Sequence, residues 1–423
     1  MNELKAGVGL SRKWDAREAG REVAETALEK LDGEKPKFFL LFSTIHYEKY
    51  GGFQELLNGV WEVLPEGTPL IGGTVVGFMN SSGSFTRGVS SMALSYPDMD
   101  VSVGVGQDTK KNPEKAAKDC ASMLQRGLHH SVSENQFVFQ LVSGPTVPSF
   151  PGVGSSFVLK GKFKGSLATK LMETSTKKFQ RGIGREEEVL YRMSKLFENS
   201  YIMSASSSDD MRLSRNYQFI GKKIYTNSIV ALAVRSDVKL RLKYGHGFYK
   251  LSEEKLKITD ATFGGKIIKK INGKDAIKEF IRKIGWFEDT LDERLHRKTF
   301  FFPLGWEYPD GTLAPAAIGA ILGGGFSFSY GMNSKELYVL TATGESIINS
   351  MRKCVSKDAK TAVGMCCCAN LATIGKDIYL FQKETSEYLD DFLIIFTMGE
   401  GVYLPNEGIP KFFNEATAIL SLG

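Results

Sequence analysis

Pro36 is followed by KFFLLFSTI, in which Phe38 to Phe42 form an unbroken apolar run of strand length. A strand that is apolar on both faces has to be covered on both faces, which confines the chain to a layered fold with a parallel or mixed central sheet. The neighbouring segments supply the cover. Asp15 precedes AREAGREVAETALEKL, where Ala19, Val23, Ala27 and Leu28 recur at helical spacing. Residues 51–64 (GGFQELLNGVWEVL) return to that period until Pro65-Glu66-Gly67 breaks it. Around these helices, Ala6–Leu10 reads as a short strand and TPLIGGTVVGFMN as a strand running into glycines. GVSSMALSY and DVSVGVGQ alternate at period two about Pro97-Asp98 and are expected to form a hairpin. Asn112 and Pro113 then cap a helix through Leu124.

The same order recurs as strand Phe137–Val142, a helix carrying Val189, Met193, Leu196 and Phe197, strand Tyr201–Ser204, and two strands, Ser228–Arg235 and Val238–Tyr244. The expectation is a mixed α+β (α/β) chain with a layered helix and mixed-sheet N-terminal domain over 1–245 that contains an internal duplication and an insertion near 145–185. A C-terminal α+β domain is expected over 246–423. It opens with KITDATFGGKIIKKINGKDAIKEF, whose Asn272-Gly273 marks a hairpin turn leading to a helix at Ala276.

Lys plus Arg exceeds Asp plus Glu by 54 to 48, a net charge of +6 over 423 residues. That is far from the concentrated basicity of a nucleic-acid binder. The stretch Gly311–Ser334 is uncharged but for none of its length free of Gly, Ser or Pro315 for long, so strand and turn are expected there, not membrane insertion. Lys5, Arg12 and Lys13 interrupt the N-terminus where a signal peptide needs an apolar core, and a cytoplasmic location is expected.

The common enzyme signatures fail one by one. Gly72 to Gly77 has P-loop spacing but is followed by Phe78-Met79, without the lysine and hydroxyl that hold phosphate and magnesium. No GxGxxG, HExxH or GxSxG is present. His46, His129, His130 and His296 stand among polar neighbours, whereas His246 sits between Gly245 and Gly247 at a strand end, where an imidazole can face a cavity. Cys366, Cys367 and Cys368 are expected in a strand, so that Cys366 and Cys368 share one face; buried small hydrophobes and a thiol-lined pocket are the two options. In FTMGEGVYLPNEGIPKFFNEATAIL, Glu400 stands between two glycines at a strand end, placed to receive an amine or hydroxyl, with Asn414 and Thr417 offering further polar groups.

These segments in this order, LIGGTVVGFMN, SSSDDM, YGHGF, KITDATFGGKIIKKINGKDAIKEF, MCCCAN and FTMGEGVYLP…FFNEATAIL, resemble the FIST (F-box and intracellular signal transduction) family over nearly the whole chain. The resemblance implies N-terminal and C-terminal FIST domains. Its closing pattern, a Gly-Glu turn followed by Asn-x-x-Thr, is met by Gly399-Glu400 and by Asn414 and Thr417, and its cysteine strand by Cys366–Cys368. Two departures stand out: ANLATIG lacks the arginine that follows the cysteine strand, and SASSSDD has serines where a glycine pair precedes Asp209-Asp210.

The family implies a sensor of intracellular signal transduction that binds a small polar metabolite such as an amino acid. It would signal through a separate kinase, cyclase or chemoreceptor, since none of those output domains fits in this chain. The ligand-binding set so implied is Gly399, Glu400, Asn414, Thr417, Cys366, Cys368, His246, Gly72, Gly73 and Asp209. Two alternatives remain. One is a haem-binding nitric oxide sensor with His246 as axial ligand; the other is a hydrolase with a Cys or Ser nucleophile.

Overall fold

The computed structural model describes residues 3–129, 135–147, 158–159, 161–287, 290, 298–332 and 334–423. His130 and His296, and part of the segment 145–185, lie outside the described residues.

Two helices and a sheet form the first unit. Strand β1 (Lys5–Ser11) leads to α1 (Ala16–Glu29), whose N-terminus is held by the Asp15 carboxylate accepting from Glu18 N, 2.9 Å. Its buried stripe is made of small residues, Ala16, Ala19, Gly20, Val23, Ala24 and Ala27, so the helix lies close against the sheet. Next come β2 (Phe38–Ser43), buried along its whole length as its apolar run requires, α2 (Phe53–Trp61) and β3 (Leu70–Thr74). A hairpin of β4 (Gly77–Asn80) and β5 (Gly83–Phe85) precedes the closing strand β6 (Val89–Ser95).

The second unit repeats the plan: β7 (Met99–Gln107), α3 (Pro113–Gly127), β8 (Asn135–Ser143), β9 (Val158–Leu159), α4 (Lys162–Phe179), α5 (Glu186–Leu196), β10 (Tyr201–Ser207), a hairpin of β11 (Gln218–Ile220) and β12 (Lys223–Tyr225), and β13 (Ser228–Ser236). Here Asn112 caps α3 by accepting from Lys115 N, 3.0 Å, with Pro113 at its first position. The plan then occurs a third time: β14 (Leu240–Gly245), α7 (Gly344–Cys354), β24 (Thr361–Cys367), α8 (Cys368–Ile374) and α9 (Ile378–Ser386), β25 (Phe392–Thr397), a hairpin of β26 (Glu400–Tyr403) and β27 (Lys411–Phe413), and β28 (Thr417–Leu422). Between β14 and α7 an insertion runs from β15 (Tyr249–Lys250) to β23 (Glu336–Thr341) and includes α6 (Ala276–Ile284). Its strands and β9 make a separate ten-stranded sheet.

The strand orders of the three main sheets are one pattern. They read β1-β6-β2-β3-β11-β12, β7-β13-β8-β10-β26-β27 and β14-β28-β24-β25-β4-β5. Each sheet takes the first, last, second and third long strands of one unit and is completed by the hairpin of another. In all three, the second and third strands are parallel and the last strand is antiparallel to its neighbours. Residues from all three sheets meet in one core that contains Phe42, Phe139, Leu141, Met365 and Ile395. The Phe42 and Phe139 rings meet edge-on at 5.7 Å.

The sequence expectations hold for the mixed α+β class and for most elements, with three corrections. GVSSMALSY and DVSVGVGQ are strands β6 and β7 but do not pair: β6 bonds to β1 and β2, β7 to β13, because the chain passes from one sheet to the next at Pro97-Asp98. TPLIGGTVVGFMN is two strands in different sheets, β3 beside β2 and β4 beside β25. The duplication is a threefold recurrence whose last copy lies largely beyond residue 245 and is interrupted by the insertion. Asn272-Gly273 is a hairpin turn, both residues at positive φ, joining Ile271 to Lys274.

Because β4 pairs with β25, and β26 with β10, the segment 1–245 leaves β10 without its neighbour and the β4–β5 hairpin without a sheet. Expressed alone, residues 1–245 are expected to bind a hydrophobic dye and to unfold without a sharp transition in urea. A cooperative transition at the midpoint of the full chain would contradict the exchange of hairpins.

Candidate functional site

Where hairpin β26–β27 joins the second sheet, four glutamates and two lysines are drawn out of water. Glu400 opens β26 and is fully buried; its Oε1 accepts from Thr397 Oγ1 at 2.7 Å, and its Oε2 has no hydrogen-bond partner. Glu415, in the turn before β28, is also fully buried, holds φ +59°, and has no partner for either oxygen. From the second unit come Glu186 and Glu187, at the start of α5. Glu186 Oε1 accepts from Ser206 Oγ at 2.9 Å and Glu187 Oε1 pairs with Lys266 Nζ at 2.5 Å, while the second oxygen of each is unpartnered. Five of these eight carboxyl oxygens thus lack a donor, where a buried acceptor left unpaired costs about 1–3 kcal/mol.

The glutamates form two electrostatic pairs, Glu400 with Glu415 and Glu186 with Glu187. Burial pushes Glu400 well above the usual carboxyl range; the Thr397 hydroxyl, the Cys367 thiol and the Ala416 amide oppose this and Cys368 reinforces it. Glu415 is raised likewise by burial, then by the charge of Glu400 and by Cys368. Glu186 is raised to about 7 by burial, against Lys266 and with Glu187. Tyr330 lies among them. Its phenol is raised by burial and by Tyr308, Glu400, Glu187 and Glu415, its ring meets Phe412 at 5.1 Å, and its hydroxyl donates to Pro315 O at 2.8 Å. Burial thus favours the uncharged form of both Glu400 and Glu415.

Beside this cluster, β8 and β10 carry a closed polar network. Lys110 Nζ donates to Ser143 Oγ and Asn227 Oδ1, both at 3.1 Å; Ser143 Oγ donates to Asn216 Oδ1 at 2.9 Å; Gln218 Nε2 donates to Ser207 Oγ at 2.6 Å and Asn216 Oδ1 at 2.9 Å. Lys110 is fully buried and pushed down to about 8 by that burial, with Glu186 opposing.

The expected ligand-binding residues divide by what their polar atoms already hold. Gly399 lies against the cluster: its carbonyl accepts from Ser206 N at 3.1 Å, and a Cβ there would stand 2.9 Å from Ser206 Oγ and 2.7 Å from the Phe412 ring. Cys368 touches the cluster through its effect on Glu400 and Glu415. It is the first residue of α8 and not a strand residue, so the expected alternation over Cys366–Cys368 stops at Cys367. Cys366 faces the helix side of its sheet and accepts from Thr417 Oγ1 at 3.3 Å and Asn370 Nδ2 at 3.5 Å. Asn414 is a clamp: its Oδ1 accepts from Ala317 N at 3.1 Å and Ser329 Oγ at 2.8 Å, and its Nδ2 donates to Met398 O at 2.9 Å.

Asp209 accepts from Leu213 N, Ser214 N and Ser214 Oγ at 2.9, 2.7 and 2.7 Å, so its charge organises its own loop. Gly72 and Gly73 serve packing. A Cβ on Gly72 would stand 1.8 Å from Leu41 O, and one on Gly73 2.3 Å from Tyr217 O.

His246 does not suit haem iron. Its Nδ1 accepts from Phe248 N at 2.9 Å and its Nε2 meets Leu313 O at 3.0 Å, which fixes the neutral tautomer with the proton on Nε2 and leaves no lone pair for a metal. Burial of the ring, against the Leu313 carbonyl, pushes it down to about 4, although the residue keeps some exposed surface. Three of the thiols do not suit a nucleophile. Cys354 and Cys366 are each raised to about 12 and Cys367 well above its ordinary value, in each case chiefly by burial.

Sequence reading missed Glu186, Glu187, Glu415 and Lys110. Glu186 and Glu187 read as the acidic first turn of a surface helix; the only available signal was that EEE opens a helix whose other face is apolar.

The fold is mixed α+β, with a buried acidic cluster between repeated units. The FIST N domain matches residues 37–274, more than half of the chain, and the chain belongs to the FIST family. No curated protein matches it. Among solved structures, a crystal structure of cyanuric acid hydrolase from A. caulinodans matches with 9% identity and a TM-score of 0.28, over 55% of this chain and 71% of that one. A likeness at that level supports no conclusion about this chain. Among the described residues no group of His, Cys, Asp and Glu is arranged to hold a metal ion, and no helix is long and apolar enough to cross a membrane.

An acid whose pKa is higher in the folded than in the unfolded state stabilises the fold fully below its unfolded value and loses that contribution as pH rises through the folded value. For Glu186 that window runs from 4.5 to about 7, and Glu400 and Glu415 extend it upward. His46 and His246, each pushed down to about 4, act in the opposite sense over part of this range, so the test is a difference: the urea midpoint of Glu415→Gln is expected to lose less, or gain more, than that of the parent as pH rises across the window. The same pH dependence in parent and variant would contradict the placement of these carboxyls.

Proposed function

We propose that the chain is a small-ligand sensor of intracellular signal transduction whose ligand presents an amine to Glu400 and Glu415. The observation that carries this reading is the pair of fully buried carboxyls with three of four oxygens unpartnered, Glu400 on the hairpin that joins two units and Glu415 in the turn that follows it. An ammonium group has three donors and no acceptor, which suits such oxygens, and its charge offsets the cost of ionising them there. An amino acid is the ligand class we favour. Its carboxylate would be received by Lys266 or Lys110, which border the same cluster.

Access and signalling follow from the insertion. Asn414 bonds to Ala317 and Ser329, Lys266 pairs with Glu187, and Gly331 N donates to Glu187 Oε1 at 3.0 Å, so the insertion is fastened to the cluster by polar contacts that a ligand would rearrange. A sensor needs two conformations of unequal affinity, and fastened against unfastened insertion supplies them. The output would pass to a separate signalling protein in the cytoplasm. In a thermal-shift screen, amino acids are expected to stabilise the protein, by about 2.7 kcal/mol at 100 times the dissociation constant. Glu400→Gln is expected to weaken that binding at least tenfold while still folding; equal affinity in the variant would remove Glu400 from the site.

The Lys110–Ser143 contact favours one other reading, a hydrolase with a serine nucleophile. A lysine at about 8 is neutral in roughly one molecule in ten at pH 7 and can take the serine proton. The closed network around Ser143 argues for a structural role, and a fluorophosphonate probe is expected to leave Ser143 unlabelled. Labelling at Ser143 that disappears in Lys110→Met would put the hydrolase first.

A further inference from the structure

The threefold recurrence exposes a local difference at the outer face of the third unit. In the first unit α1 spans 14 residues and covers the edge strand to its beginning, with a Cβ on Gly7 lying 2.1 Å from Ala27 O. In the second, α3 spans 15 residues and Gly127 lies over Ser102. In the third, α7 spans 11 residues; it meets the strand at Gly245, beside Ser350 and Cys354, and then stops. The missing turn uncovers the start of β14, and there Arg241 and Lys243, two residues apart and so on one face, stand where the other edge strands carry glycine and serine.

The result is a shallow depression, open to solvent, of about 520 Å³ lined by Arg241, Lys243, Arg352, Lys353, Lys357 and Ser356, with Val355 and Asp358. That volume suits a small molecule. Its lining has five cations and one carboxylate. Asp358 takes Arg241 bidentately, Glu384 takes Arg352 in the same way, and Lys357 Nζ donates to Tyr388 OH at 3.0 Å. Lys243 and Lys353 have no carboxylate partner among the described residues. Glu345 also acts on Arg352, Glu387 on Lys357 and Lys239 on Asp358, so six cations stand against four carboxylates, a surplus of two that outweighs the roughly half negative charge of the α7 C-terminus. Ser356, 3% exposed, adds a hydroxyl without a hydrogen-bond partner.

We propose that this depression binds a small phosphate-bearing ligand. The two guanidinium forks already hold bidentate oxyanions, in the geometry that a phosphate takes, and Asp358 is an exposed side chain that can swing aside. Lys243 and Lys353 supply unneutralised charge, and the Ser356 hydroxyl supplies a donor. The site lies on the outer, helix side of the third sheet and is independent of the Glu400–Glu415 cluster.

Calorimetric titration of the full chain with inorganic pyrophosphate and with ATP, in 50 mM and then 200 mM salt, tests this. Both probes are expected to bind saturably, more weakly at the higher salt. Lys243→Ala with Lys353→Ala is expected to weaken binding at least tenfold, and Ser356→Ala a few-fold, with unfolding midpoints unchanged. ATP binding much more tightly than pyrophosphate would assign a nucleotide; equal affinities would assign the phosphate alone. No saturable binding of either probe, or a double variant that binds like the parent, would overturn the proposal, as would binding of an acidic peptide with neither phosphate probe.

Discussion

The structure depends on backbone pairing between units: the third strand of each sheet finds its outer neighbour in another unit's hairpin. Thus β3 bonds to β11, β10 to β26 and β25 to β4, and each such edge closes N–H and C=O groups that would otherwise face a core or a neighbouring chain. The exchange runs in a ring, from the first unit to the third sheet, from the third unit to the second sheet, and from the second unit to the first. No unit completes its own sheet, so the shared core exists only when all three are present. The long insertion in the third unit does not disturb this, since it leaves from the end of β14 and returns at α7.

The acidic cluster is a consequence of that exchange. Hairpin β26–β27 carries Glu400 into the second sheet opposite Ala205, next to Ser206, whose hydroxyl donates to Glu186 at the start of α5. Carboxylates crowded in a low-dielectric region resist ionising, and burial raises Glu186, Glu400 and Glu415 above the usual carboxyl range. Lys266 and Lys110 neutralise part of the cluster. Glu400 and Glu415 remain without an ammonium partner, and the proposed ligand's amine is assigned to this pair.

Much of the fold was legible because its signals are local. The apolar run Phe38–Phe42, the Asp15 and Asn112 caps and the Asn272-Gly273 turn each act within a few residues. What escaped was long-range. Nothing in GVSSMALSYPDMDVSVGVG distinguishes a hairpin from two strands of different sheets, because both need alternation and a turn, and the third copy was hidden by the insertion that separates its first strand from its first helix. Of the site, Glu400 was legible as a carboxylate between glycines at a strand end. Glu415, one residue after Asn414, was not: its burial comes from tertiary packing around a positive-φ turn, whereas its sequence reads as an ordinary polar loop. His246 and Asp209 attracted notice for good local reasons, yet their polar atoms are consumed by neighbours within a few residues or by a facing carbonyl.

The central claim, that Glu400 and Glu415 are buried neutral acids that ionise when an amine ligand arrives, is tested most directly by infrared difference spectroscopy of the protein labelled with carbon-13 at glutamate carboxyl carbons. The account predicts protonated-carboxyl absorption at neutral pH in the ligand-free protein, reduced in Glu400→Gln and in Glu415→Gln and replaced by carboxylate absorption when an amino acid saturates the site. Absence of that absorption without ligand, or its persistence unchanged with ligand bound, would contradict it.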